Sequence, residues 1–355
     1  MKILHTADLH LGAPMRAHLP PREAKLRRDE LLSAFHRLLQ LAEDEKCAAV
    51  LIAGDLFDSA AAAAMLASTV LGAIQKHSSI DFYYAAGNHE GGQWLPASLP
   101  KNFHVFGNRF SCFQKGNVCF WGKSFPKAVD FDNIYLQNNS INLMILHGAW
   151  ADGRSENAEI PLAHLHGRGI DYLALGHYHS YAKKEIDARG IAVYCGCPEG
   201  RGFDELGQKG AVLIETIGAR LTHRFIPLSG RVFHRIKADI SDAKSVLDLF
   251  SICEGAVSHV ASKDLVRLVL VGKKSTYAAP TDAILRHLFD RFYHLEVEDA
   301  TVIAPDIDSI RDECSLRGEF VRTVMRTPAL GEEERMRILS LGLSALHEEG
   351  GMGWS

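Results

Sequence analysis

Five apolar runs of strand length, each closing on an aspartate, asparagine or histidine, constrain this chain more than any other feature. They read "KILHTAD", "CAAVLIAGD", "IDFYYAAGNHE", "INLMILHG" and "IDYLALGHYH". Near-continuous apolar strands belong in a sheet buried on both faces. Helical patterns separate the first three. Residues 21–45 carry Pro21 at the start and Leu31, Leu32, Phe35, Leu38, Leu39 and Ala42 at helical spacing, and an alanine-rich stretch runs from Ser59 to His77. This alternation predicts a largely parallel α/β sheet. Shorter strands follow in "FHVFG", "NVCFWG" and "IAVYCG". The stretch "AVLIETIGARLTHRFIPL" reads as a hairpin turning near Gly218-Ala219. A mixed sheet pair with flanking helices accommodates all of them.

A chain of 355 residues is long enough for two domains at ~100–200 residues each. The strand-rich pattern ends near 230–240, which places a first domain at 1–235 and a smaller α+β domain at 236–355. The second is expected to hold a helix at 241–254, the strand "DLVRLVLVG", a helix at 281–293 and the strand "HLEVEDATV". Final helices are expected at 308–326 and 331–348. With 47% hydrophobic and 23% charged residues the composition is that of a soluble globular protein. The longest apolar stretches fall far short of a membrane span. "MKILHTAD" enters a strand at once, so no signal peptide is expected. Seven cysteines without a C-x-x-C pair point to reduced thiols in a cytoplasm. The net charge of −4 does not advertise a nucleic-acid partner, although a net value hides local clusters.

In open α/β folds chemistry collects where strands end. Here the ends deliver Asp8 and His10 ("ADLHLG"), Asp55 ("AGDLFD"), Asn88 and His89 ("AGNHEGG"), His147, and the pair His177 and His179. Any one of these alone reads as a cap or a core residue. Five glycine-flanked strand ends together read as a metal centre. The pair His164 and His166 in "LAHLHG" lacks that context and reads as surface. His5, inside the first strand, reads as a core histidine. Two aspartates, one asparagine and four imidazoles, with no thiolate, suit Mn²⁺, Fe²⁺ or Zn²⁺ better than Mg²⁺ or Ca²⁺. Seven ligands are too many for one closed site. They suit two ions ~3.5–4 Å apart that share a carboxylate.

These residues resemble the calcineurin-like metallophosphoesterase superfamily. The start "MKILHTADLHLG" and the tail "GCPEGRGFDELGQKG" are most similar to the SbcD-type and YhaO-like DNA repair exonucleases. The resemblance covers about residues 1–230 and is only general beyond them. It implies a four-layer β-sandwich flanked by helices and two Mn²⁺ ions. One would be held by Asp8, His10, Asp55 and His179, the other by Asp55, Asn88, His147 and His177, with Asp55 as the bridge. His89 matches the family's catalytic histidine. The resemblance further implies a Mn²⁺-dependent DNA exonuclease, with single-strand endonuclease capacity as an open addition. DNA, a coiled-coil SbcC-type ABC ATPase and a second copy of the chain are the expected partners, with no membrane. Two departures stand out: Glu90 follows His89 where relatives often carry aspartate, and Asp58 takes a place where some carry histidine.

Outside the motifs, Arg201 in "PEGRGFDE" is a candidate phosphate contact, or else a partner of Glu199 or Asp204. Residues 216–238 carry Arg220, Arg224, Arg231, Arg235 and Lys237 and no carboxylate. A solvated face explains them, as does a track for a phosphate backbone with Arg231 and Arg235 as contacts. Two rival functions share the metal centre: a phosphatase or phosphodiesterase for small nucleotides or other phosphoesters, and a non-catalytic scaffold of the same fold.

Overall fold

In the computed structural model of the protein, the first apolar run forms strand β1 (Lys2–Thr6). It leads through helix α1 (Pro21–Asp44) to β2 (Ala49–Ala53), and through α2 (Ala60–Lys76) to β3 (Asp81–Ala85). The structure describes residues 1–15, 19–90, 94–124, 136, 139–151, 160–218, 220–243, 245–274, 281–288, 290–303 and 307–349. The chain forms two units, Met1–Phe233 and His234–Ser355. The first continues with β4 (Phe103–Val105), β5 (Ser111–Lys115), β6 (Val118–Gly122), β7 (Ile141–His147), β8 (Trp150–Ala151) and β9 (Ile160–Pro161). Next come β10 (Tyr172–Gly176), β11 (Ala182–Glu185), β12 (Ile191–Tyr194), β13 (Gly210–Ile217) and β14 (Arg220–Pro227).

Two six-stranded mixed sheets result, ordered β14-β13-β1-β2-β3-β4 and β11-β12-β10-β7-β6-β5. Strands β1 to β4 run parallel, as do β12, β10, β7 and β6, so each sheet gathers its carboxyl ends at one edge. The sheets pack face to face. Ile3, Leu51, Tyr83 and Val212 from one meet Phe120, Ile145, Ala174 and Val193 from the other. The alternate residues of the first sheet, Leu4, Val50, Ile52 and Phe82, bury against Phe35, Leu38, Val70 and Ile74 of α1 and α2. Burial on both faces is why these strands read as unbroken apolar runs. On the second sheet Met144, Leu146, Leu173 and Leu175 are covered by Leu162, Leu165 and Ile170. That cover includes a short 3₁₀ turn at Leu162–Leu165, which leaves His164 and His166 exposed.

The two crossover helices start as their sequences dictate. Pro21 stands in the first turn of α1, where its missing N–H costs nothing. Ser59 caps α2, its Oγ accepting from Ala62 N at 3.2 Å.

Strand β15 (Phe233–Asp239) starts on the last residue of the first unit, and its remainder opens the second, followed by α3 (Val246–Val257), β16 (Leu265–Val271), β17 (Lys273–Lys274), α4 (Thr281–Leu288), β18 (His294–Asp299) and β19 (Val302–Ile303). Helices α3 and α4 lay Leu249, Cys253, Ile284 and Leu288 on Val266, Leu268 and Leu270 of β16. Helices α5 (Ile307–Arg311), α6 (Leu316–Arg326) and α7 (Glu332–Glu349) close the unit around Ile310, Val321, Val324, Leu339 and Leu343.

Three expectations need correction. The single helix expected at 308–326 is two, α5 and α6, because Ser315 takes the N-cap role with Oγ 3.1 Å from Gly318 N. The helix expected from 241 starts at 246. Ser241 is bound to Asp239, and Ser245 caps through Asp248 N at 3.1 Å. The helix expected at 281–293 is described to Leu288, and Tyr293 already bonds to Asp264. Phe289 and the turn residue Ala219 lie outside the described residues. Among the described residues no helix is long and apolar enough to cross a membrane.

Candidate metal centre

The carboxyl ends of β1, β2 and β3 meet those of β7 and β10. Asp8 N donates to Gly54 O at 3.1 Å and His10 N to Asp55 O at 2.9 Å, which joins the first two loops. Asp8 in turn accepts His177 N on both oxygens, at 3.0 and 2.9 Å, which joins the second sheet to the first. Among the described residues only five non-glycine residues have positive φ. Four are Asp8 (50°), His10 (43°), Asp55 (49°) and His177 (116°), and the fifth is Lys46. Each such conformation costs on the order of 1–3 kcal/mol. The strain therefore sits on the strand-end residues that carry donor atoms.

Three groups bring their donor atoms within 4.8 Å of one another: Asp8, His10 and His179; Asp8, Asp55 and His147; and His10, Asp58 and His89. Asp55 is central. Its Oδ2 lies 3.6 Å from His10 Nε2 and 3.4 Å from His147 Nε2. His147 Nδ1 stands 2.9 Å from the Ala53 carbonyl, which can only accept. In the neutral ring, a proton on that nitrogen leaves Nε2 as a lone pair, facing Asn88 Oδ1 at 2.9 Å and the Asp55 carboxylate. His10 Nε2 and His179 Nε2 face each other at 3.3 Å. Facing acceptors in a buried site are satisfied by a proton on one of them or by a cation between them. The residues present thus fit divalent metal ions.

The electrostatics follow from burial and crowding. Burial lifts the Asp8 carboxyl to about 6, with His147 opposing. Burial pushes His10 down to about 4, with Asp58 opposing. Burial alone would raise Asp55, yet His147 and His10 hold its carboxyl well below the usual range. For His147 burial disfavours charge, but Asp55 and Asp8 prevail and hold it at about 9.

The remaining candidates take distinct places. His177 contributes its backbone N–H to Asp8, while its ring packs edge-on against His147 with centroids 5.6 Å apart. Its imidazole joins none of the three groups. His89 stands at the open side. Its N donates to Asp55 Oδ1 at 3.1 Å, Nδ1 lies 2.9 Å from the Asp58 carbonyl, and Nε2 is 3.9 Å from Asp55 Oδ2. His5 is buried, with Nδ1 2.9 Å from Tyr172 Oη and Nε2 unpaired.

Sequence reasoning missed the residues that brace the site. Glu90 is buried and accepts from Leu56 N, Phe57 N, Gly87 N and Tyr84 Oη, at 3.2, 3.4, 3.2 and 2.6 Å. One carboxylate thereby ties the Asp55 loop to the Asn88 loop. Its signal was the departure at the fourth position of "GNHE". Glu205 Oε1 lies 2.7 Å from His179 Nδ1, and Lys209 Nζ donates to His179 O at 2.8 Å. Both come from the tail motif, about thirty residues along the chain.

The candidate phosphate contacts are each engaged by a carboxylate. Arg201 is buried, and its carboxylate partners are Glu205 at 2.7 Å and Asp58 at 3.4 Å, not Glu199 or Asp204. Glu199 binds Arg27 and Arg37 instead. Arg231 pairs with Glu30 at 2.9 Å, Arg224 with Glu45 at 2.7 Å, and Arg235 with Glu298 at 3.2 Å. A segment without carboxylates thus borrows them from other segments.

The sequence is similar to those of known proteins. A model of the calcineurin-like phosphoesterase family matches residues 1–181. The chain is 29% identical to the uncharacterized metallophosphoesterase YhaO of Bacillus subtilis, over 77% of this chain and 72% of that one. It is 24% identical to the DNA double-strand break repair protein Mre11 of Haloferax volcanii, over 98% of this chain and 80% of that one. It is 33% identical to one of the subunits of the nuclease SbcCD of Bacillus subtilis over a shorter stretch, 28% of this chain and 25% of that one.

Proposed function

The chain belongs to the calcineurin-like phosphoesterase family, and on that premise we propose that this metal-dependent hydrolase is a Mn²⁺-dependent phosphodiesterase acting on DNA ends. The observation that carries the reading is the convergence of acceptor atoms around Asp55, with His89 on the open side. Asp8, His10, Asp55 and His179 would hold one ion; Asp55, Asn88, His147 and the adjacent His177 would hold the other. When bound, the ions supply an activated water and offset the charge that develops on the phosphoryl oxygens. Asp55 stays ionised and so can serve both ions. His89, oriented by the Asp58 carbonyl, presents Nε2 to the leaving oxygen.

Manganese is favoured by the mixed carboxylate and imidazole donors. DNA as substrate and work in repair are supported by the names of the relatives; a coiled-coil ATPase partner is what the family resemblance implies, and one relative is a subunit of a nuclease of more than one subunit. Residues 236–355 would then position DNA or dock that partner, and a second copy of the chain is a further candidate partner. The cysteines are free thiols, consistent with work in the cytoplasm.

A second reading, a phosphodiesterase for small nucleotides, is favoured by one observation. Arg201, Arg231 and Arg235 are each paired with a carboxylate, which weakens the basic track that long DNA needs. The test is direct. With Mn²⁺, the purified protein should cleave labelled linear duplex and a chromogenic phosphodiester, and leave a chromogenic phosphomonoester largely intact. Rapid turnover of small diesters with duplex DNA untouched would favour the second reading.

A further inference from the structure

Behind the two imidazoles that face each other at 3.3 Å lies a second layer of charge. His179 Nδ1 is 2.7 Å from Glu205 Oε1. On the other side His10 Nδ1 is 3.2 Å from Asp58 Oδ1, at ion-pair distance but outside the angular range of a hydrogen bond. The Arg201 guanidinium joins these carboxylates, with Nη1 3.4 Å from Asp58 Oδ1, and Nη2 and Nε 2.7 and 3.1 Å from Glu205 Oε1. Glu205 is only 3% exposed and Arg201 only 1%. Glu205 Oε2 also accepts Arg201 N at 2.8 Å, so the loop that carries both residues is fixed as well.

The chemistry of imidazole gives this layer a task. An ion at Nε2 requires the proton on Nδ1. Arg201 Nη2 lies 3.0 Å from His179 Nδ1 but can only donate, so Glu205 alone can accept that proton. A carboxylate in that role fixes the tautomer and the ring plane and makes the ligand more basic. Resting on the metal reading above, we propose that Asp58, Arg201 and Glu205 form a clamp that positions His10 and His179 for one ion. Arg201 is then a positioning residue and not a phosphate contact. Asp58 gives the clamp its second carboxylate.

The experiment is calorimetric titration of Mn²⁺ into the metal-free full-length protein and its variants Glu205→Gln, Asp58→Asn and Arg201→Lys, each checked for folding by circular dichroism. The wild type should show two binding events. Each near-isosteric variant should weaken one event by about 10- to 100-fold, the usual effect of losing such a partner, and leave the other in place. Both events unchanged in Glu205→Gln and Asp58→Asn, with Arg201→Lys raising KM for a diester, overturns the clamp and returns Arg201 to the phosphate. Equal weakening of both events, together with a lower melting temperature of the metal-free protein, also overturns it by showing a general structural role. A wild type that takes up no Mn²⁺ instead overturns the metal reading itself, a separate result.

Discussion

At the scale of single residues, the metal-free site holds protons on groups that a cation would need deprotonated. Burial keeps Asp8 near 6, and Asp55 and Asp8 keep His147 near 9 against the effect of burial. Both values lie above those of the unfolded chain. Their contributions to the stability of the metal-free protein are therefore present at low pH. The Asp8 contribution is lost as pH rises through about 6, and that of His147 as pH rises through about 9. Metal ions bind the deprotonated forms, so protons compete with them. The increase in melting temperature caused by Mn²⁺ should be small at pH 5 and should grow steadily to pH 8. Thermal melts with and without Mn²⁺ across that range check the sign. A larger metal effect at pH 5 than at pH 8 would mean that Asp8 and His147 are not among the groups that meet the ion.

At the scale of elements, the glycines decide how closely strand ends approach. A Cβ on Gly87 would fall inside contact distance of the Asp55 carboxylate and backbone, which cannot retreat because Glu90 grips both loops. Gly87→Ala should cost about 1–3 kcal/mol as an overpacked site and should displace Asp55 from both ions. Metal analysis should then show both ions weakened, alongside a lower melting temperature. Normal metal content in a stable variant would show that the Asp55 loop has slack. The same elements show what was legible beforehand. The buried strands and the donors at their ends could be read, because burial on both faces writes an unbroken apolar run and the run marks its own end. Strand β5, "SCFQK", could not: an edge strand with exposed Ser111 and Gln114 carries no such run. The break between α5 and α6 hung on the single cap of Ser315. Glu205 was illegible for another reason, since its partner His179 lies 26 positions away and only the fold brings them together.

At the scale of the molecule, every candidate ligand falls within the unit Met1–Phe233, which holds three apolar cores of its own. Strand β15 begins at Phe233, and Ala238 near its end and Ile240 just beyond it belong to the core of the second unit. A truncated chain should therefore end at Phe233, because a cut near 240 would strand those apolar side chains in water. Phe233 itself should stay, since Phe203 packs edge-on against it and the Arg27 guanidinium lies over its ring. Hydrolysis of a small diester asks only for the metal centre. Long DNA asks for more, since its affinity is the sum of many phosphate contacts and falls steeply as they are removed. Residues 1–233 should keep hydrolysing a chromogenic diester, while the rate on duplex DNA falls by roughly tenfold or more as those contacts go. Circular dichroism and metal content must first show that the truncated chain is folded and loaded. If it then digests duplex DNA as fast as the whole chain, the second unit contributes nothing to holding DNA. Its helices α6 and α7 would then be better explained by the docking of a protein partner.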